Sequence, residues 1–307
     1  MPSSIKHLLT LEEFSSAEVL DLLDLAAKIK KKPSKYRKSL KGQCLAMIFE
    51  KSSTRTRVSF EVGMTQLGGH GLFLNASDIQ VGRGETIADT ARVLSRYVQG
   101  IMIRTFAHKT VEELAKFSNV PVINALSDSH HPCQTLADLQ TLQEQFKKLK
   151  GLQLVYVGDG NNVAHSLMIG GAKTGMHVKI VCPKDYAPDS KILAYCQKVG
   201  KETGSRVEVM NTVAGSVKGA DAVYTDVWTS MGQEAEKQKR LKDFTGFQVN
   251  EKLMAESPKA VFLHCLPAHR GEEVSAGVID GKRSFVWDQA ENRLHAQKAL
   301  LVTLMGS

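Results

Sequence analysis

One short segment of this sequence combines two arginines with several hydroxyl groups. It reads Ser-Ser-Thr-Arg-Thr-Arg and follows the apolar stretch Cys44–Phe49, which predicts a strand. A helical pattern comes next, so Ser53 is placed as its N-cap, and the N–H groups of the first turn favour an anion. A capped helix with surface arginines would explain Ser53 but not so many cations in one turn. We therefore predict a phosphate site formed by Ser53, Thr54, Arg55, Thr56 and Arg57.

Two polar side chains follow later strands in the same half of the chain. Arg104 comes directly after the predicted strand Ile101–Ile103, and His131 lies beyond the strand Val120–Ala125. Taken singly, the arginine could be a salt-bridged strand end and the histidine a packed or capping residue. Together at adjacent strand ends, a cation and an imidazole could stabilise the negative charge that develops on a carbonyl oxygen during attack.

The second half of the chain carries an acid and a thiol at strand ends. Asp226 follows the predicted strand Ala222–Thr225, and Cys265 closes Val261–Cys265. A substrate with a cationic side chain needs a carboxylate of this kind, whereas an acidic substrate would need arginine or lysine. The plainer interpretations are a turn cap for Asp226 and a buried thiol for Cys265.

A glycine pattern in this half resembles a dinucleotide motif only in part. Gly158 and Gly160 follow the predicted strand Leu152–Val157, but Val163 stands where the third glycine of the motif would be. A G-x-G pair alone is weak evidence, so we predict no nicotinamide cofactor. The phosphate segment contains no P-loop pattern either, so a nucleotide is not implied.

The elements that position these residues alternate regularly between short apolar strands and amphipathic helices. This alternation predicts an α/β protein with two domains, each a mainly parallel sheet flanked by helices. The boundaries are placed at residues 1–135 and 136–289, and a helix at 290–307 is expected to pack back on the first domain. The remaining predicted strands are Leu72–Leu74, Val178–Cys182, Val207–Met210 and Phe285–Trp287, and Thr110 is expected to begin a capping box.

Size and composition narrow the class of protein further. The chain has 307 residues, a net charge of +8, 42% hydrophobic residues and five cysteines without a C-x-x-C pair. No apolar run is long enough for a membrane span, and the N-terminal residues do not resemble a secretory signal, so we expect a cytoplasmic protein with reduced thiols. The positive charges are scattered without interleaved aromatic residues, so we expect no nucleic-acid partner.

Ser53–Arg57 with Ser59-Phe60-Glu61, and the segment His131-Pro132-Cys133-Gln134, resemble the carbamoyl-phosphate motifs of the aspartate/ornithine carbamoyltransferase family. The resemblance extends over the whole chain. It implies two α/β domains with the active site in the cleft between them, and a homotrimer or an assembly of trimers. It also implies that Arg104, His131 and Gln134 contact carbamoyl phosphate, with Gln80 as a further contact. No metal and no organic cofactor are implied.

The acceptor side resembles the ornithine branch of this family. Asp226 with Ser230-Met231-Gly232, and His264-Cys265-Leu266-Pro267, are the segments that carry the likeness. They imply transfer of the carbamoyl group to the δ-amine of L-ornithine, with Asn162, Asp226, Ser230 and Met231 as ornithine contacts. Cys265, Leu266 and Arg293 are implied to complete the carbamoyl-phosphate site, and the implied catalytic residues are Arg104, His131, Asp226 and Cys265.

Two alternatives and one question remain open at this point. Another amine, such as aspartate, putrescine or an N-acylated ornithine, could be the acceptor on the same phosphate site. A non-catalytic regulatory or nucleic-acid-binding protein on the same fold is the alternative from a different class. The direction of the reaction in arginine metabolism is not indicated by the sequence.

Overall fold

The computed structural model describes residues 6–80, 84–230 and 232–306. They form two compact units. Unit 1 comprises the described residues within Met1–Gln140 and Glu291–Ser307, and unit 2 comprises those within Thr141–Ala290. The two boundaries fall inside helices α5 (Pro132–Phe146) and α11 (Val286–Met305).

Unit 1 contains a parallel sheet of four strands in the order β2-β1-β3-β4. Its strands are β1 (Cys44–Phe49), β2 (His70–Asn75), β3 (Gly100–Arg104) and β4 (Val122–Leu126). The helices that accompany them are α1 (Ser16–Lys31), α2 (Thr54–Gln66), α3 (Ile87–Leu94) and α4 (His108–Phe117). The strands β1, β3 and β4 are almost continuously apolar because both faces of a parallel sheet are covered.

Unit 2 contains a parallel sheet of five strands in the order β7-β6-β5-β8-β9. Its strands are β5 (Gln153–Val157), β6 (His177–Val181), β7 (Val207–Met210), β8 (Ala222–Thr225) and β9 (Val261–His264). Its helices are α6 (Asn162–Thr174), α7 (Ser190–Thr203), α8 (Lys237–Asp243), α9 (Glu251–Ala255) and α10 (Ala276–Ile279). The predicted class, two α/β domains with parallel sheets and flanking helices, is confirmed.

Each sheet packs on its own apolar core. In unit 1 the core joins the sheet to helices α3 and α4 through residues such as Ile48, Ile103 and Val111. In unit 2 it joins Val155, Val223 and neighbouring apolar residues to the helices that follow β8 and β9. Burial of this apolar surface is the main stabilising contribution to both units, and it fixes the strand ends that carry the polar residues.

Two local predictions are wrong. Phe285–Trp287 is not a strand, because helix α11 begins at Val286 and only the Phe285 N–H bonds to the neighbouring strand, at 3.0 Å from the Phe262 carbonyl oxygen. Periodicity cannot separate strand from helix in so short an apolar run. Thr110 begins no helix, since α4 starts at His108 after Ala107, which provides no side-chain cap.

The other nine predicted strands are confirmed, with ends shifted by at most two residues. Within the described ranges, the structure holds no helix with the length and apolar character needed to cross a membrane.

Candidate active site

The polar residues of unit 1 converge at the switch point of its sheet. The chain leaves β1 toward β2 on one side, whereas β3 and β4 lie on the other. In parallel sheets, ligands bind beyond the carboxyl ends of the strands at such a point. Ser53 follows β1, Arg104 ends β3, paired with Phe49 of β1, and His131 follows β4.

The predicted N-cap at the start of α2 is confirmed. The Ser53 side chain accepts a hydrogen bond from the backbone N–H of Thr56 at 3.2 Å. The remaining N–H groups of the first turn, together with the helix dipole, make this helix end favourable for an anion. No acidic residue lies in the first turn of α2 to compete for that position.

His131 is buried among three arginines of the same unit. Burial lowers its pKa well below the usual 6.5, and the positive charges of Arg293, Arg104 and Arg55 lower the pKa further. The imidazole is therefore neutral at neutral pH and offers one N–H donor and one acceptor. The arrangement places a neutral hydrogen-bond donor inside a strongly cationic surrounding, which suits a dianionic phosphate group with a carbonyl beside it.

Arg293 connects the predicted residues of unit 1. Its Nη1 donates to the side-chain oxygen of Gln134 at 2.8 Å, and its Nη2 lies 3.3 Å from the Thr56 hydroxyl. Its Nε donates to Gln297 on the same helix at 2.9 Å. Gln134 in turn donates to Asp138 at 2.8 Å, so its amide orientation is fixed. The guanidinium is thereby held at the start of both α2 and α5.

For two predicted phosphate contacts, the structure shows no hydrogen bond to this group among the described residues. The Arg57 guanidinium stacks on the Phe73 ring at 3.7 Å and its Nε pairs with Glu61 at 3.1 Å, which directs it along the outer face of α2. Gln80 is exposed, and no hydrogen bond from its side chain to the group occurs among the residues that the structure describes. These two residues remain predictions without support from the geometry.

In unit 2 a second group forms at the corresponding switch point, between β5 and β8. The Cys265 thiol donates to Oδ1 of Asp226 at 2.9 Å, and the side-chain amide of Asn161 donates to Oδ2 at 2.9 Å. Asp226 is 6% exposed, so its carboxylate is held by both oxygens in a nearly buried site. The group combines a carboxylate with a thiol. It suits an amine, which needs hydrogen-bond acceptors, better than an acid, which needs donors.

The other predicted acceptor residues stand next to Asn161 or shortly after Asp226 in the sequence. Asn162 is the first residue of α6, directly after Asn161, which caps the helix through the N–H groups of Val163 and Ala164. The Ser230 N–H donates to the side chain of Gln233 at 3.1 Å, so Ser230 lies in a turn after β8. Met231 lies outside the described residues.

The backbone after Cys265 is unusual and well anchored. Leu266 has a φ of +59°, and the Leu266–Pro267 peptide bond is cis. The Leu266 N–H donates to Nδ1 of His264 at 2.8 Å, so the other ring nitrogen carries the proton and donates to Oε1 of Glu273 at 3.1 Å. A positive φ at a leucine costs free energy and is typical of positions where function constrains the backbone.

Two groups of side chains in the described part of the chain bring possible metal-ligand atoms within 4.8 Å of one another. In Asp226, His264 and Cys265, both ring nitrogens of the histidine are already engaged, which leaves two ligands. The other group is His269, Glu272 and Glu273. In that group Glu272 pairs with a lysine at 3.0 Å. The expectation that no metal takes part stays a prediction.

Several residues at these sites were not identified from the sequence. Asn161 stands beside the predicted Asn162, and its place at a strand end was the available signal. Glu273 gave no signal, because its contact with His264 depends on the fold. Arg240 lies in a run rich in lysine and acidic residues that looks like a solvated helix, yet it is 6% exposed and pairs with Asp159 at 2.7 Å.

Comparison with known proteins identifies both halves of the chain. Residues 6–144 match the carbamoyl-P binding domain of aspartate/ornithine carbamoyltransferases. Residues 150–304 match the Asp/Orn binding domain of the same family. The two matches divide the chain between β4 and β5, as the two sheets do.

Individual relatives cover nearly the whole chain. The ornithine carbamoyltransferase of Oceanobacillus iheyensis is 58% identical over 303 residues, which is 98% of this chain and 94% of that protein. The solved structure of the Pyrococcus furiosus ornithine carbamoyltransferase has a TM-score of 0.95 and 54% identity, covering 98% of this chain and 97% of that one. The enzyme from Giardia lamblia is 37% identical with a TM-score of 0.91, and 99% of each chain is covered. The chain therefore belongs to the aspartate/ornithine carbamoyltransferase family.

Proposed function

We propose that this protein transfers the carbamoyl group of carbamoyl phosphate to the δ-amine of L-ornithine, giving L-citrulline and phosphate. The observation that carries the choice of acceptor is the group around Asp226, where a buried carboxylate is bound by a thiol and an amide. An aspartate acceptor would require a cation at this point. Relatives named ornithine carbamoyltransferase at 54–58% identity support the same choice.

Unit 1 is proposed to bind carbamoyl phosphate. Ser53, Thr54, Arg55 and Thr56 hold the phosphate at the start of α2, with Arg57 and Gln80 as the less supported contacts. Arg104 and His131 donate to the carbamoyl oxygen, and Gln134 and Arg293 complete the site. Because His131 is neutral, it donates a hydrogen bond to the developing oxyanion without adding a further charge to the arginine cluster.

Unit 2 is proposed to bind ornithine. Asn162, Ser230 and Met231 hold the amino-acid end, while Asp226 and Cys265 hold the δ-amine. An aliphatic ammonium has a pKa of about 10.4, so the amine must lose a proton before it attacks. The acceptor oxygens of Asp226 orient the ammonium while it releases one proton to solvent. After the neutral amine has attacked, its nitrogen gives up a second proton, which the departing phosphate takes. Leu266 contributes through its backbone to the carbamoyl-phosphate site, together with Cys265.

The attack then proceeds without a covalent enzyme intermediate. The δ-nitrogen lone pair forms the new C–N bond at the carbamoyl carbon, and the bond from that carbon to the bridging phosphate oxygen breaks. Holding both reactants in place supplies a large share of the acceleration, because a bimolecular encounter becomes an effectively unimolecular step. The cationic surrounding of His131 stabilises charge on the oxyanion and on the leaving phosphate.

The pathway, the cellular location and the oligomeric state complete the proposal. A role in arginine biosynthesis is supported by the Pyrococcus furiosus relative, which is 56% identical and is named as anabolic. A cytoplasmic location is supported by the free cysteines, since disulfides are rare in that compartment. A homotrimer, or an assembly of trimers, is supported by exposed apolar residues around α2 and β2, namely Val58, Val62, Leu72 and Phe73.

The test is the identity of the product formed from carbamoyl phosphate with ornithine, aspartate or putrescine as separate acceptors. Citrulline from ornithine, with no product from the other two, is the expected result. Product from aspartate or putrescine instead would keep the phosphate site and overturn the assignment of Asp226 and Cys265. Absence of product from all three would favour the regulatory alternative, which a salt-dependent gel shift with nucleic acid would then examine.

A further inference from the structure

Arg240 is a buried arginine that bonds to both loops of the unit 2 switch point. Its Nη1 donates to Oδ2 of Asp159 at 2.7 Å and to the backbone carbonyl oxygen of Trp228 at 2.9 Å. Asp159 belongs to the loop after β5, two residues before Asn161. Trp228 belongs to the loop after β8, two residues beyond Asp226. One guanidinium nitrogen therefore links the two loops that carry the proposed ornithine contacts.

The remaining contacts of Arg240 are with one exposed carboxylate and a cluster of aromatic rings. Its Nε donates to Oε2 of Glu236 at 3.0 Å, one turn earlier in the chain. Its Cζ lies 5.0 Å from the centre of the Tyr186 ring. That ring packs on Phe244, which also stacks on Trp228 at 5.6 Å. A planar fork with several donors can make these bonds together, which a lysine ammonium cannot do in the same geometry.

Arg240 also affects two neighbouring carboxylates, Asp159 and Asp226, differently. Asp159 is 7% exposed, and burial raises its pKa, while the hydrogen bond and charge of Arg240 oppose that rise and Asp226 and Glu236 add to it. The hydrogen bond and the charge of Arg240 thus favour the ionised form of Asp159. Asp226 is then left as the carboxylate whose oxygens face Cys265 and Asn161.

We propose that Arg240 is a positioning residue for the amine acceptor, which fixes the loop after β8 against the loop after β5 and so holds Asp226 and Ser230 in the geometry that binds ornithine. The inference rests on the proposed function. A buried ion pair that served stability alone would affect both substrates equally when it is lost. A tie between the two acceptor loops affects ornithine selectively.

The experiment measures steady-state kinetics for both substrates in Arg240→Gln, Arg240→Lys and a control, Glu236→Gln. Loss of the tie in Arg240→Gln is expected to raise the KM for ornithine between about ten- and a hundred-fold, because small misplacements of a binding group carry penalties of that order. The KM for carbamoyl phosphate should stay within about two-fold. Arg240→Lys should lie between Arg240→Gln and the wild type.

Glu236→Gln is the matched control because it removes the exposed partner of the same guanidinium. The Glu236 side chain is 57% exposed, whereas those of Asp159 and Arg240 are 10% and 7% exposed. An exposed ion pair contributes little, so this variant should keep both KM values within about two-fold of the wild type. An ornithine KM that rises as much in the control as in Arg240→Gln would contradict the proposal.

A charge-balanced variant covers the case in which Arg240→Gln fails to fold. Arg240→Gln combined with Asp159→Asn removes the buried charges together, which is tolerated far better than removing one. It should fold, recover part of the stability and still show a raised KM for ornithine, because the bond to Trp228 is weakened. Either foldable variant with a wild-type KM for ornithine overturns the inference, as does an equal loss for both substrates.

Hydrogen exchange gives a second measurement that does not depend on activity. Residues 226–230 should lose protection in the Arg240 variants and keep it in Glu236→Gln. A wild-type protein that makes no citrulline would sink the proposed function, while the exchange comparison would still decide whether Arg240 ties the two loops. Unchanged protection in Arg240→Gln would overturn the tie itself.

Discussion

The two units place their polar groups at the same topological position but give them opposite electrostatic character. In unit 1, a neutral His131 is surrounded by the charges of Arg55, Arg104 and Arg293. In unit 2, the carboxylate of Asp226 is bound by a thiol and an amide. Both groups stand beyond the carboxyl ends of parallel strands at a switch point. In the proposed function, the architecture therefore fixes where each substrate is bound, and the residue types at the strand ends decide which substrate that is.

The largest expected effect comes from the oxyanion donor of unit 1. Arg104→Ala removes a buried cation from the proposed carbamoyl oxygen site, and kcat should fall about 10²- to 10³-fold, as when other oxyanion donors are removed. The KM for ornithine should change little, because unit 2 keeps its residues. Initial-rate kinetics over both substrates measure the two effects separately. An ornithine KM that changes more than kcat would break the division of labour between the units.

A smaller effect is expected from the thiol of unit 2. Cys265→Ser keeps a hydrogen-bond donor to Asp226 but replaces the large sulfur, and the KM for ornithine should rise about ten-fold, the effect of a loss of roughly 1.4 kcal/mol in binding. The pH profile should change as well, because a cysteine thiol is far more acidic than a serine hydroxyl. The KM for carbamoyl phosphate tests the comparison, since selective loss there would place Cys265 with unit 1. Wild-type kinetics at every pH would remove the thiol from the mechanism.

Acid should weaken unit 1 more than unit 2. Burial lowers the pKa below 6.5 for His7, His108, His131 and His295 in unit 1, and for His177 in unit 2. Below about pH 6.5 these histidines bind protons in the unfolded chain but not in the folded chain. The free energy of unfolding therefore falls as the pH falls. His131 alone accounts for at most about 1.4 kcal/mol per pH unit in this range.

Hydrogen exchange at pH 7.5 and pH 5.5, corrected for the intrinsic rate, measures this difference. The slowest amides of unit 1 should lose more protection than those of unit 2. Replacing His131 by asparagine should flatten the pH dependence in unit 1. The paired carboxylate of Glu18 does not confuse the result, because its pKa of about 2 makes its contribution disappear only at more acidic pH, below about 4.5. Equal acid sensitivity in both units would contradict the assignment.

Much of this arrangement could be predicted from the sequence, and the gaps have physical causes. Apolar runs such as Cys44–Phe49 identify parallel strands. The residues after a strand are local in sequence, so the positions of Ser53, Arg104 and Asp226 at or beyond strand ends can be predicted. The strand order that makes β1 and β5 the switch points depends on long-range pairing, which no local pattern reports. The partnership of Arg240 with Asp159 spans 81 residues and leaves no periodic trace.

The direction in which a side chain points is also not predictable from residue types alone. Arg57 follows Arg55 by two residues, yet the helix turns it to the outer face, where it stacks on Phe73. A pattern of residue types gives the chemistry available in a segment. The helix phase decides which of those residues reach the ligand.

The smallest expected effects concern the two helix caps, one in each unit. Ser53→Ala removes the acceptor for the Thr56 N–H, and the free energy of unfolding should fall by about 1 kcal/mol, the usual effect of losing such a cap. Asn161→Ala removes the acceptor for two N–H groups of α6 and also the donor to Asp226. It should therefore cost at least as much stability and raise the KM for ornithine, whereas Ser53→Ala should raise the KM for carbamoyl phosphate. Urea unfolding and kinetics on the same two variants measure the losses of stability and of substrate binding.

Glycine at either position, which restores most of the capping free energy but no side chain, separates the loss of the cap from the loss of the ligand contact. If glycine restores the kinetics together with the stability, the caps serve the fold alone and the comparison between the units rests on the arginines and Asp226.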